Sequence, residues 1–552
     1  MAAMEPPPPP PPSAAALQHQ QQPPPRHEQQ QQQQQPPSLP GRILSELGLA
    51  ALARAPRDVK LLVLQRLVRL SAYGASTLVL VSLLRALGLS RAQAGLFMTL
   101  TLVGDVLVSL LLGLAADRLL GRRAVLALGA ALMAASGLVF ATTATSSTAD
   151  SPGSEASSSL SSSSSSYSYA LLLVAAVLGV ISPSGNEIGP FRAVEESVVA
   201  HLTPPPDRPD VYAWYSLAGT AGSALGMVTC GWAVEAATAR LGWALLDAYR
   251  AVFVAYAALG LVKLALALAL SPAVEADEGK ARERSPALTA PPSAGATAAA
   301  GASAEETTPL LLSAPGEGEM EGEEEEEEDA RAKKSADASS PQRWWTAMLP
   351  PLSPESKGIA TALCLLFALD SFASGLAPLS WVTYYFRSRF NLDEGRLGSV
   401  FFTTSLISAS SVIVASALAK RLGNVKTMVF THLPSALFLA LIPLPSTLGP
   451  AILLLALRAC TQSMDVAPRS AFLAAVLLPG ERTAVMAAVN VAKTAAQSLG
   501  PLITGVLAGR DLFWVSFVAA GSLKACYDLG LLAVFKNREH RDRDYARDEE
   551  NP

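Results

Sequence analysis

The chain of 552 residues carries 42 Lys and Arg against 46 Asp and Glu, a formal net charge of −4, with 50% hydrophobic and only 16% charged residues. A soluble chain usually carries about 25% charged residues, so this composition over this length excludes an ordinary soluble enzyme and makes the bilayer the expected solvent. The net charge points to no nucleic-acid partner, because much of the acid sits in one run, Glu323–Asp329, and in a mixed tail after Lys536.

Residues 1–57 open with Pro6–Pro12 and Gln29–Gln35, tracts that cannot bury a core, and are read as a disordered tail without a cleavable secretory signal. Homopolymers of this kind point to a eukaryotic source. Crossing a bilayer takes about 20 apolar residues per helix. Twelve such segments follow, at about 60–84, 92–116, 122–143, 168–189, 211–235, 248–270, 357–384, 396–419, 425–443, 450–477, 483–507 and 513–535. They fall into two groups of six, 58–270 and 356–536. Between them, 271–355 is rich in Ala, Pro, Ser and Glu and reads as a disordered acidic linker, and 537–552 forms a charged tail. The fourth segment, which runs up to Pro190, and the tenth, which contains Pro468, are predicted to be the least regular.

The Ser-rich loop 146–168 has no Lys or Arg, which places it away from the cytoplasm by the positive-inside rule. Alternation then puts both termini and the linker in the cytoplasm. Arg118, Arg122, Arg123, Lys420, Arg421, Lys426, Arg538, Arg541 and Arg543 land inside, while Arg387, Arg389 and Arg396 land outside and count against the assignment.

The two groups repeat one another. Leu89 and Gly95 return as Leu392 and Gly398 at an offset of 303, and Ala116–Leu119 returns as Ala419–Leu422. Later, Thr220–Gly226 matches Thr494–Gly500, Gly231 matches Gly505, and Glu187–Pro190 matches Asp465–Pro468. Three blocks in one order imply an all-α membrane fold of two parallel six-helix halves.

Here the chain resembles the major facilitator superfamily. The resemblance rests on Gly113, Asp117, Arg118, Gly121, Arg122 and Arg123 in the loop after the second helix, similar to that family's glycine, aspartate and basic signature. One extra residue separates Arg118 from Gly121, and Lys420 replaces the acid in the second copy. For Asp117 the resemblance implies a gating role, capping a facing helix near Thr483. The bland alternative makes the basic residues topology determinants alone.

Other motifs narrow the reading. Gly219, Gly222 and Gly226 share one helix stripe and serve close packing rather than phosphate binding. Related facilitators that exchange drugs for protons carry Gly-Pro in the fifth helix. Here Gly226 precedes Met227 and the pair Gly500-Pro501 occurs in the second half, so coupling direction stays open. Glu187, Arg192, Glu195 and Glu196 lie around the end of the fourth helix, where Pro190 marks a hinge or an interfacial anchor. Cys230, Cys364, Cys460 and Cys526 are widely spaced in apolar runs, and the five histidines lack ligand spacing, so neither a disulfide framework, a metal nor a cofactor is expected.

Ionisable residues inside a bilayer each cost about 2.5–3.5 kcal/mol or more and need a reason. Arg66, Arg69 and Tyr73 share a stripe of the first helix; Arg458, Asp465 and Arg469 share one on the tenth; Asn490, Lys493 and Gln497 share one on the eleventh. Asp105 and Asp370 stand in apolar runs. These stripes either surround a central path for solute and proton or neutralise one another in structural pairs, Asp465 with Arg469 and Asp105 with Arg66 or Arg69. The expectation is a monomeric secondary transporter, not an enzyme, that moves a small solute through lipid, with the cations leaning toward an anion and a carboxylate carrying a proton. A transporter-like sensor that binds without flux is the alternative. Glu306-Thr-Thr-Pro-Leu310-Leu311 resembles an acidic dileucine signal, leaving the plasma membrane and a vacuolar or lysosome-like membrane as destinations.

Overall fold

The computed structural model describes residues 49–115, 121–143, 157–179, 181, 183, 190–275, 354–477 and 481–550. Two compact units result, one ending at Arg54 and one running from Ala55. The first contributes, among its described residues, the helix Leu49–Arg54.

In the second unit the helices are α1 (Arg57–Ala86), α2 (Arg91–Ala115), α3 (Arg122–Thr142), α4 (Ser157–Leu178), α5 (Pro190–Leu202), α6 (Arg208–Ala239) and α7 (Leu245–Leu268) in the first half. The second half holds α8 (Pro354–Leu376), α9 (Leu379–Phe390), α10 (Glu394–Leu422), α11 (Asn424–Leu441), α12 (Leu448–Thr461), α13 (Val466–Val476), α14 (Arg482–Gly509) and α15 (Phe513–Glu550). These follow the twelve predicted spans in order, with the fourth, seventh and tenth each made of two segments. Among the described residues seven candidate spans, including α1, α3, α7 and the α8–α9 pair, are long and apolar enough to cross a bilayer by length and composition.

The repeat is visible in which helices touch. α1 packs on α6 as α8 packs on α14, α3 on α7 as α11 on α15, and α1 on α7 as α8 on α15. Between the halves, α6 meets α10 and α14 meets α2, the same pair of spans seen from the other side of the pseudo-twofold axis. Radial position follows from burial: the apolar window of α1 is 78% buried, those of α7 and α15 39%. Leu261 on α7 and Leu365 on α8 turn outward, 58% and 67% exposed, as side chains facing lipid should.

Prolines place the breaks. Pro190 opens α5 at its first residue and Pro468 sits in the first turn of α13, positions where a missing N–H costs nothing. The tenth span therefore bends before Pro468, at Gln462–Asp465. The seventh span breaks at Ala377-Pro378, which the apolar run 357–384 did not reveal. Carbonyls near the breaks find partners elsewhere. Leu376 O accepts from the hydroxyl of Thr504, and Pro183 O accepts from Ser380 Oγ at 2.6 Å and Ser380 N at 3.3 Å, a contact between the halves.

Within each half, glycine lets central helices touch through their backbones. A Cβ on Gly222 would stand 2.5 Å from Leu67 O, and one on Gly500 2.5 Å from the Cα of Gly375. The seams between halves use the same device: a Cβ on Gly95 would lie 2.5 Å from Pro501 O, and one on Gly398 2.5 Å from Met227 O. The first five residues of the predicted linker are ordered, with Pro272–Val274 forming a 3-10 turn. The predicted tail boundary at 537 falls inside the continuous helix α15. Gly222→Leu should overpack the α1–α6 contact by about 1–3 kcal/mol or more and lower the melting temperature and monodisperse yield in detergent, whereas Leu261→Ala on the lipid face should leave both near wild type.

Candidate functional site

A cavity of about 330 Å³ lies between the halves. α1 and α6 supply Arg66, Ser216, Thr220 and Ser223; the second half supplies Asp370, Ser374, Ser405, Ser408, Arg458, Asp465, Arg469, Gln497 and Lys524. The lining mixes charge and hydroxyls with aliphatic walls such as Leu70, Val382 and Leu439. The spacing of Ser216, Thr220 and Ser223 puts three hydroxyls on one face of α6.

In the first half, four helices meet at one carboxylate. Glu195 of α5 is fully buried; Arg69 Nη2 donates to its Oε2 at 2.6 Å, the Tyr215 hydroxyl donates to the same atom at 2.6 Å, and Lys263 Nζ stands 3.5 Å from Oε1. Two cations thus share one anion in a dry site. Arg66, one turn before Arg69, lies over the Tyr215 ring, 4.1 Å from its centroid, and borders the cavity. Tyr73 is buried and stacks on Tyr256. Asp105 is buried as well, and its Oδ1 has no hydrogen-bond partner among the described residues.

In the second half the charges form a chain. Lys524 Nζ donates to Asp370 Oδ1 at 2.6 Å and to Ser374 Oγ at 2.8 Å. Arg469 lies 3.6 Å from Asp370 Oδ2 and forms an ion pair with Asp465, one turn away on the same helix face. His432 Nδ1 is 2.9 Å from Asp528 Oδ1. Arg469 and Lys493 both lie over the Phe367 ring, at 5.3 and 5.8 Å. Gln497 is buried at the cavity wall, while Asn490, half-buried on α14, is not part of the lining.

The structure therefore gathers Arg66, Asp370, Arg458, Asp465, Arg469 and Gln497 at the cavity and places Arg69, Tyr73, Asp105 and Lys493 behind it. The arginine partners are Glu195 for Arg69 and Asp370 with Asp465 for Arg469. Glu195 was legible only as a charge near a bent helix, and Lys263, Lys524, His432 and Asp528 were missed. A single lysine in an apolar run, as in Leu261-Val-Lys263-Leu and Ser522-Leu-Lys524-Ala, is itself the signal that could have found the first two.

Hydrogen bonds between the halves gather toward one end. Arg91 Nη1 donates to Ala508 O at 2.7 Å and to Asp511 Oδ1 at 3.0 Å; Gly395 N donates to Glu235 Oε2 at 3.0 Å; Tyr249 OH donates to Glu394 Oε1 at 2.7 Å. Further in, Leu502 N, beside Pro501, donates to Thr99 Oγ1 at 3.0 Å. Gly113 lies in the last turn of α2. Asp117, Arg118 and Glu187 lie outside the described residues, as do the acidic run and the dileucine-like motif. Gly121 adopts φ +77°, and just after it the backbone N–H groups of Arg122 and Arg123 donate to Glu275 Oε2 and Oε1 at 2.7 and 3.0 Å. A carboxylate from the start of the linker thus caps α3. At α5, Pro190 is the first residue and Arg192 Nε donates to Glu196 at 2.7 Å.

Two equivalent helical halves that enclose a polar cavity within an apolar shell define a membrane transporter. The sequence matches the family profile described as Major Facilitator Superfamily over residues 61–337 and 360–551. The chain belongs to the major facilitator superfamily. It is 36% identical over 484 residues, 87% of this chain and 94% of the relative, to the uncharacterized membrane protein YJR124C of Saccharomyces cerevisiae. Among solved structures its fold is similar to a D-xylose-proton symporter (TM-score 0.56, 15% identity, 86% of this chain and 96% of that one). A bacterial homologue of the iron transporter ferroportin, in its inward-facing state, is similar to the same degree (TM-score 0.56, 13% identity, 86% and 98%).

Glu195→Gln leaves Arg69 and Lys263 buried without their shared anion and should cost about 3–5 kcal/mol, read as a large drop in detergent melting temperature. Adding Lys263→Met to that variant should recover part of the loss.

Proposed function

We propose that the protein is a secondary active transporter that moves a small polar solute by alternating access and couples the movement to protons. The observation that carries this reading is the cavity itself, walled by charged and hydroxyl side chains of both halves while the halves are pinned together toward one end. Polar groups at this depth are expensive unless they pair or meet a solute. Rocking the halves about their glycine seams would release the Arg91–Asp511 and Glu235–Gly395 contacts and open the cavity to that side.

With both termini and the linker in the cytoplasm, as the distribution of Lys and Arg supports, the pinned end is the outer one and the state is inward-facing. The embedded cations favour an anionic solute. Asp105, buried and with Oδ1 unpartnered among the described residues, is the proton carrier of this proposal. Asp117 takes the role of a gate on the inner loop, as the family resemblance implies. The acidic dileucine-like motif supports delivery to a vacuolar or lysosome-like membrane, with the plasma membrane as the alternative destination. The protein works as a monomer, and the chain needs no ATP for the cycle.

A double variant Arg91→Cys/Asp511→Cys, on a background with the four native cysteines replaced, should cross-link under oxidation, abolish solute flux in vesicles and regain it on reduction. Unchanged flux in the cross-linked protein would sink alternating access, and solute binding with no flux in any form would make the protein a sensor. In wild-type vesicles an imposed pH gradient should drive uptake several-fold; Asp105→Asn should lose that response while keeping downhill exchange.

A further inference from the structure

Any assignment of the solute rests on the carrier reading, which gives the cargo no more than a charge sign, and Arg458, a cation of the cavity, stands outside the ion pairs found among the described residues. Arg69 and Lys263 serve Glu195, while Arg469 and Lys524 serve Asp370 and Asp465. Arg458 on α12 lines the cavity, its Nε is buried without a hydrogen-bond partner, and among the described residues no carboxylate forms an ion pair with it. The charged lining as a whole is cationic, Arg66, Arg458, Arg469 and Lys524 standing against Asp370 and Asp465. A cationic solute is disfavoured by that excess.

Three hydroxyls from the other half, Ser216, Thr220 and Ser223, border the same space. Phe401 is the one Phe, Tyr or Trp among the described lining residues, so the walls offer neither a stacking sandwich for a flat ring nor a cage for a quaternary ammonium. We propose that the cavity takes a small, hydroxylated, non-aromatic organic anion, its carboxylate or phosphate on the Arg458 guanidinium and its hydroxyls on Ser216, Thr220 and Ser223. A guanidinium fork suits either oxyanion bidentately. Such a solute ties the second half, through its head, to the first half, through its body. It therefore favours the state in which the two sets of groups converge.

The test uses the full-length protein in detergent and in vesicles, with gluconate, glucose 6-phosphate, inorganic phosphate, glucose and glucosamine as millimolar probes. Gluconate or glucose 6-phosphate should raise the melting temperature and be taken up, the arm that responds identifying the head group as carboxylate or phosphate. Inorganic phosphate alone should do less than glucose 6-phosphate, because it lacks the hydroxylated body. Arg458→Gln should abolish the shift and weaken binding about tenfold or more, and Arg458→Lys, which keeps the charge without the fork, should retain part. Ser216→Ala/Ser223→Ala should weaken gluconate binding and leave that of inorganic phosphate unchanged.

Equal stabilisation by glucose or glucosamine, an unchanged response in Arg458→Gln, or no stabilisation by any anion would overturn the proposal. Uptake of glucose without anion stabilisation would overturn it while leaving the carrier reading intact. Stabilisation by gluconate without uptake would support the anion site and remove the carrier.

Discussion

Every polar group within the spans is placed under one constraint: in hydrocarbon there is no water to satisfy it. A backbone carbonyl released by a helix break must find a donor, and an ionised side chain must find a counter-charge or a wet cavity. The three interrupted spans show the first requirement. At the fourth and seventh spans the carbonyls of Pro183 and Leu376 are taken up by Ser380 and Thr504, so each of these two breaks is secured by a hydroxyl from a different span. The two ionic clusters show the second, each held by helices far apart in sequence and each including a lysine from the last span of its half, Lys263 or Lys524.

The clusters divide the work between them. Glu195 with its two cations and tyrosine sits behind the cavity and ties α1, α5, α6 and α7 together. The Asp370, Arg469 and Lys524 chain reaches the cavity wall, where its charges face both the protein and whatever enters. One kind of interaction is thereby used at two depths, inside the bundle and at the cavity wall.

The architecture was legible because it is written in coarse patterns: length of apolar runs, a repeat of residue order, and prolines that interrupt otherwise regular segments. Breaks at the fourth and tenth spans followed from Pro190 and Pro468, yet the break at Pro378 was hidden by the apolar residues on either side of it. The charges were legible as locations and much less as partnerships. Spacing along one helix found Asp465 with Arg469, since both lie on one face a turn apart. Lys524 with Asp370 and His432 with Asp528 join different helices, and no local periodicity encodes which faces will meet. Arg458 shared a stripe with Asp465 and Arg469, but its lack of a carboxylate partner among the described residues emerges only when all neighbouring helices are in place.

The seams between the halves are built from bare main chain, Gly95 against Pro501 and Gly398 against Met227. At these two points sliding of one surface over the other would disturb no side chain, so in the proposed rocking motion they serve as smooth bearings rather than interlocking teeth. Resistance to such a motion would fall on the side chains packed around these points and on a handful of polar clasps near the rim. Under the proposed cycle the clasps would set its timing and the bearings only its axis.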